Sequence, residues 1–106
     1  MTDQLNNEEV TDEKALFEAK EKDRLRRLTE IDDIYKVMST ESGRRFIARV
    51  LEHCCVGHTI WAEGDKIYRN AGARDVGHWL WAEVSEADIE LYFKMIREDR
   101  NRRMPV

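Results

Sequence analysis

Across its first 104 residues the chain contains no proline; its single proline is Pro105, the next to last of 106 residues. A proline ring removes a backbone donor and clashes with the preceding turn, so no position in 1–104 is barred from a helix interior on that ground. Only five glycines accompany it. A β domain of this length needs frequent Gly, Pro or Asn-Gly turn signals, and they are missing. The expected fold class is all-α: a small antiparallel bundle of about four short helices with a long polar N-terminal helical arm.

Charge sets the next bound. The chain is 38% charged with a formal net charge of −4. That balance argues against a protein that coats nucleic acid over its whole surface, because phosphate binding depends on positive charge. The basic residues are unevenly placed, however, with Arg97, Arg100, Arg102 and Arg103 clustered near the C-terminus. Two readings fit such a run. It is a solvated helix end whose cations suit the negative pole of the helix dipole, or it is a phosphate-binding element.

The opening Met1-Thr2-Asp3-Gln4-Leu5-Asn6-Asn7 lacks the basic start and apolar run of a signal peptide. No stretch approaches the roughly 18 apolar residues that span a bilayer. Adjacent Cys54 and Cys55 without a secretion signal suit a reducing compartment. A soluble protein made in the cytoplasm, with no membrane partner, is expected.

Two regions follow from the patterning. Residues 1–28 form a polar arm whose helix-forming composition runs from about 11 to 28. Its Leu5, Val10, Leu16, Phe17, Leu25 and Leu28 make no continuous stripe, so it is either a partly disordered tail or an element that orders on a partner. Residues 29–106 form the bundle domain with its basic end. Ile31, Ile34, Tyr35 and Met38 predict a short helix over 30–38. Thr40 is placed to cap a second helix over 41–54, with Gly43, Phe46, Ile47, Val50, Leu51 and Cys54 as its inner stripe. Gly57 ends it. Asp65 is placed to cap a third helix over 66–85, facing inward with Ala73, Val76, Gly77, Leu80 and Val84. Asp88 caps a fourth over 89–102, with Ile89, Tyr92, Phe93 and Ile96 inward. Small residues Gly72, Ala73 and Gly77 suggest a close helix crossing.

Chemistry is sparse. His53, Cys54, Cys55 and His58 tempt a zinc reading, but Cys55 and His58 make one C-x2-H pair where zinc needs two pairs. Cys54 is already used by the inner stripe, and His78 is distant in sequence. Cys55 near His58 has no accompanying oxyanion or substrate motif for nucleophilic work. The carboxylates Asp32-Asp33 and Glu98-Asp99 diverge at i, i+1 spacing, and Glu83 is expected in an ion pair with Arg45 or Arg74. No catalytic residue, metal or cofactor is expected. Trp79 and Trp81 lie roughly 200° apart on a helix, so one of them, with Trp61, should reach the surface. Exposed tryptophan beside arginine is typical of binding hot spots. The candidate protein-binding residues are Phe17, Arg44, Arg45, Trp61, Trp81, Arg97, Arg100, Arg102 and Arg103.

Two segments also carry a resemblance. Thr40-Glu41-Ser42-Gly43-Arg44-Arg45-Phe46-Ile47, continuing to Val50-Leu51-Glu52, and Asn70-Ala71-Gly72-Ala73-Arg74-Asp75-Val76-Gly77-His78-Trp79-Leu80 resemble a family of small helical proteins of tailed, short-tailed bacteriophages and prophages. The resemblance covers about 32–98 and leaves out the arm. Family members often carry proline after the capping threonine and aspartate; Glu41 and Ile89 stand there instead. The resemblance implies a non-enzymatic virion or assembly protein, a helical adaptor at the portal, the head–tail junction or among internal proteins. Its partners would be phage structural proteins and further copies of itself, with packaged DNA a candidate for the basic C-terminus. Synthesis in the host cytoplasm and then incorporation in the virion would follow. The rival reading is a phage-encoded regulator that binds host protein or DNA as a free dimer.

Overall fold

The computed structural model describes residues 2–54, 56, 57 and 59–104, with side chains from residue 8 onward. The described residues form four α-helices and no strand: α1 Thr2–Met38, α2 Glu41–His53, α3 Lys66–Ala87 and α4 Ile89–Arg103. The protein is an all-α bundle. Cys55 and His58 lie outside the described residues.

α1 is one uninterrupted helix of 37 residues, where the sequence suggests an arm and a separate short helix meeting near Thr29. The Thr29 hydroxyl explains the continuity. It donates back to the Leu25 carbonyl at 3.1 Å, so it spends its hydrogen bond on its own helix and caps nothing new. By its contacts the chain divides into two compact units between Glu30 and Ile31, inside α1. The first unit leaves Val10, Leu16, Phe17, Leu25 and Leu28 exposed. Ion pairs one turn apart, Glu21–Arg24 and Asp23–Arg26, run along it. The hydrogen bond from Arg24 holds the Glu21 carboxyl below its usual range.

The second unit is built on Met38, Ala48, Leu51, Val84 and Met95, with Ile34, Ile47, Val56, Leu80, Leu91 and Tyr92 packed around them. Ile47 shares a hollow with Leu80 and Val84. Cys54, about two turns further on and just past the end of α2, meets Gly77, so α3 descends as α2 climbs and the two are antiparallel. The ion pairs Arg44–Glu98 and Glu52–Arg103 advance along α2 and α4 together, so these two run the same way. That is the alternation of an up-down bundle.

Local chemistry sets the helix starts. The Thr40 side chain accepts from Gly43 N at 3.0 Å, and Asp88 Oδ1 accepts from Glu90 N and Leu91 N at 2.9 and 3.1 Å. Both caps stand where the sequence puts them. Asp65 holds the N-cap position of α3 without a side-chain capping bond.

Two inner faces match the expected ones in part: Leu51, Cys54, Ile47 and Tyr92 lie inward as expected, and others do not. In α2 the buried residues are Arg44, Ala48 and Leu51, with Cys54 beyond the last turn, while Phe46 is exposed. In α4 the buried residue is Met95, and Ile89, Phe93 and Ile96 are exposed. In each case the core takes a narrow line of residues, and large apolar side chains beside it, Phe46 in α2 and Ile89, Phe93 and Ile96 in α4, reach solvent. Val76 is likewise exposed, so the inner face of α3 is narrower than expected.

The glycines of α3 separate in the same way. A Cβ at Gly77 would lie 2.5 Å from Val56 Cγ2 and 2.7 Å from Cys54 Cβ, whereas among the described residues nothing stands within 4 Å at Gly72. The close approach expected at both positions occurs at Gly77 alone. Opposite signs are expected for the two alanine variants. Gly72→Ala should gain about 0.5–1 kcal/mol from helix propensity. Gly77→Ala should lose about 1–3 kcal/mol through overpacking. Urea melts of both variants check this; equal stability changes would remove the packing role of Gly77.

Candidate interaction surface

The surface positions follow from the helix register. In α3 the inner line passes through Gly77 and Val84, and at about 100° per residue the opposite side passes through 68, 72 and 79, with 76 on its flank. Tyr68, Val76 and Trp79 there are 78%, 56% and 62% exposed. The open Gly72 sits between Tyr68 and Val76 and leaves a flat gap. Single exposed apolar residues need no explanation, but two large aromatics on one helix face are a candidate docking surface. The signal was present in the i, i+4, i+8, i+11 spacing. It was missed because Gly72 and Val76 read as inner-face residues.

The expected site residues do not gather into one place. Trp61, in the connection between α2 and α3, is 74% exposed. Trp81 is exposed and sets its ring edge-on to Tyr92, centroids 6.4 Å apart. Trp79 is exposed as well, so both helix tryptophans reach solvent where one was expected to. Phe17 is exposed in the first unit. Arg45 is exposed and donates to Ser42 Oγ at 3.4 Å.

Arg44 departs from its expected role. Only 5% of it is exposed. Its Nε and Nη2 both reach Glu98 Oε1 at 3.0 Å, and Nη1 donates to the Met38 carbonyl at 3.0 Å. The guanidinium thus neutralises the C-terminal pole of α1 and ties it to α4. No partner can reach it. The C-terminal arginines also divide. Arg103 binds both oxygens of Glu52 on α2 and, with Arg102, pairs with Asp99, which raises the Arg103 pKa, first through Glu52. Arg97 and Arg100 are exposed.

Cys54 is buried against Gly77. Among the described residues no three His, Cys, Asp or Glu side chains converge. The Cys55–His58 pair lies outside them. No described helix is long and apolar enough to cross a membrane.

These features define a small helical domain that presents an aromatic face. A family model described as Bbp19-like phage protein matches residues 35–97, more than half of the chain, and the chain belongs to that family of phage proteins. Both sequence segments that carry the phage resemblance fall inside this match. No curated protein and no solved structure matches.

Proposed function

We infer that this phage protein is a non-enzymatic adaptor of the particle, a virion or assembly component that docks on phage structural proteins through the outer face of α3. The observation that carries the reading is the aligned exposure of Tyr68, Val76 and Trp79, joined to membership of a phage family. Large aromatics held on a rigid helix lose little conformational freedom on docking, which makes them efficient anchors. The exposed apolar residues of the first unit supply a second attachment element. The portal, the head–tail junction and the internal proteins are the settings that suit a small multi-copy helical part.

Mass spectrometry of purified particles tests this. Peptides of the chain should be present in a fixed ratio to the major structural proteins. Tyr68→Ala with Trp79→Ala should reduce that ratio at least tenfold while circular dichroism of the isolated variant stays helical. Particles that lack the chain altogether would favour the free regulator instead.

A further inference from the structure

The outward side of α2 and the first turns of α3 carry a second feature, separate from the aromatic face. An open hollow of about 490 Å³ is lined by Phe46, Arg49, Val50, Glu52 and His53. Another, of about 350 Å³, is lined by His53, Lys66, Arg69, Asn70 and Ala73. His53 is common to both, so they adjoin. Lys66, Arg69, Asn70 and Ala73 lie on the same side of α3 as Gly77 and Val84, by helix register. The inner face of α3 therefore continues past the end of α2, and there it turns from apolar to basic.

We propose that this edge binds the phosphate backbone of DNA, with Arg49 from α2 and Lys66 and Arg69 from α3 as the contacting cations. Three observations favour that ligand. The cations follow one another along two adjoining open hollows and do not enclose a single point, which suits a linear polyanion. Arg49 lies over the Phe46 ring, 5.9 Å from its centroid, a stacking that orients a guanidinium for paired bonds to phosphate oxygens. Among the described residues the lining holds one carboxylate, Glu52, and Arg103 hydrogen-bonds both of its oxygens, which offsets its charge. Arg45, one turn before Arg49, extends the same surface. In a chain with net charge −4, this concentration of cations on one edge runs against the average.

The site differs from the exposed C-terminal pair. Arg97 and Arg100 project from the side of α4 away from Met95 by helix register, and they line neither hollow. The test uses the full-length protein and a fluorescent 20-base-pair duplex of arbitrary sequence, read by anisotropy from about 50 to 200 mM salt. Binding should weaken steeply with salt, each cation at a phosphate contributing about 0.9 to the log–log slope. Lys66→Gln with Arg69→Gln should reduce affinity about tenfold and lower the slope by about 2. Arg49→Gln should lower it by about 1, and Arg97→Gln with Arg100→Gln should change neither. Circular dichroism confirms that each variant is folded. No wild-type binding at the lowest salt overturns the proposal, as does equal loss in the Arg97/Arg100 pair. Binding to anionic phosphatidylglycerol vesicles without binding to the duplex overturns it too, by pointing to a membrane surface. Since this assay needs no particle, its failure is distinguishable from failure of the adaptor reading.

Discussion

Arg44→Ala is expected to destabilise the bundle by about 3–5 kcal/mol, the range for breaking a buried ion pair from one side. Two penalties combine. Glu98 Oε1 loses both guanidinium donors, while Glu98 Oε2 is already buried without a partner among the described residues. The Met38 carbonyl, at the end of α1, loses the Arg44 donor at the same stroke. A buried acceptor left unmade carries its desolvation cost. Arg44→Lys should recover little, because an ammonium cannot reproduce the fork that reaches Glu98 and Met38 together. Replacing both charges, Arg44→Met with Glu98→Met, should be less damaging than Arg44→Ala alone. An apolar pair removes the stranded carboxylate. Guanidinium chloride melts of the three proteins check the order. An Arg44→Ala variant within 1 kcal/mol of wild type would show that the pair only decorates the fold.

This arginine also shows where sequence reasoning stops. Thr40 and Asp88 were legible as caps because a capping bond spans two or three residues and depends on one side chain and the adjacent backbone. The family was legible because its two motifs sit within single helices. Arg44 is different: its partner Glu98 is 54 positions away, and locally it looks like its neighbour Arg45, an arginine available to a partner. Its line with Ala48 and Leu51, at i, i+4 and i+7, was the available signal. A charged residue at the head of an apolar line is easily set aside in favour of bulkier Phe46. The same bias misplaced α4, where Ile89, Phe93 and Ile96 outweighed Met95 on hydrophobicity, although Met95 fills the core. In so small a bundle each helix can bury only a narrow strip, so much large apolar surface is left outside. What stays outside, Tyr68, Val76 and Trp79 above all, is the surface on which the proposed adaptor role rests.

Gly43 makes the sharpest demand on sequence in the bundle, and Gly43→Ala is expected to cost about 3 kcal/mol or more, at or beyond the upper end of overpacking penalties. In most helices the change from glycine to alanine stabilises by up to about 1 kcal/mol. Here the added Cβ would fall 1.8 Å from the Val37 carbonyl oxygen, 2.8 Å from Val37 C and 2.8 Å from Thr40 Oγ1. Two of these atoms are backbone and cannot swing away as a side-chain tip could. The third is the capping hydroxyl, which already accepts from Gly43 N and donates to Val37 O. Relief therefore requires the end of α1 to move off the start of α2. That movement would pull Met38 from the core and its carbonyl from Arg44, so the loss should couple to the Arg44 network. A double-mutant cycle of Gly43→Ala with Arg44→Ala should accordingly give a combined loss at least 1 kcal/mol smaller than the sum, as for residues sharing one network. Thermal and denaturant unfolding of the single and double variants measure both quantities. If Gly43→Ala is as stable as wild type, the tight α1–α2 corner is not a constraint on this fold. If the two losses simply add, the glycine and the arginine hold that corner independently.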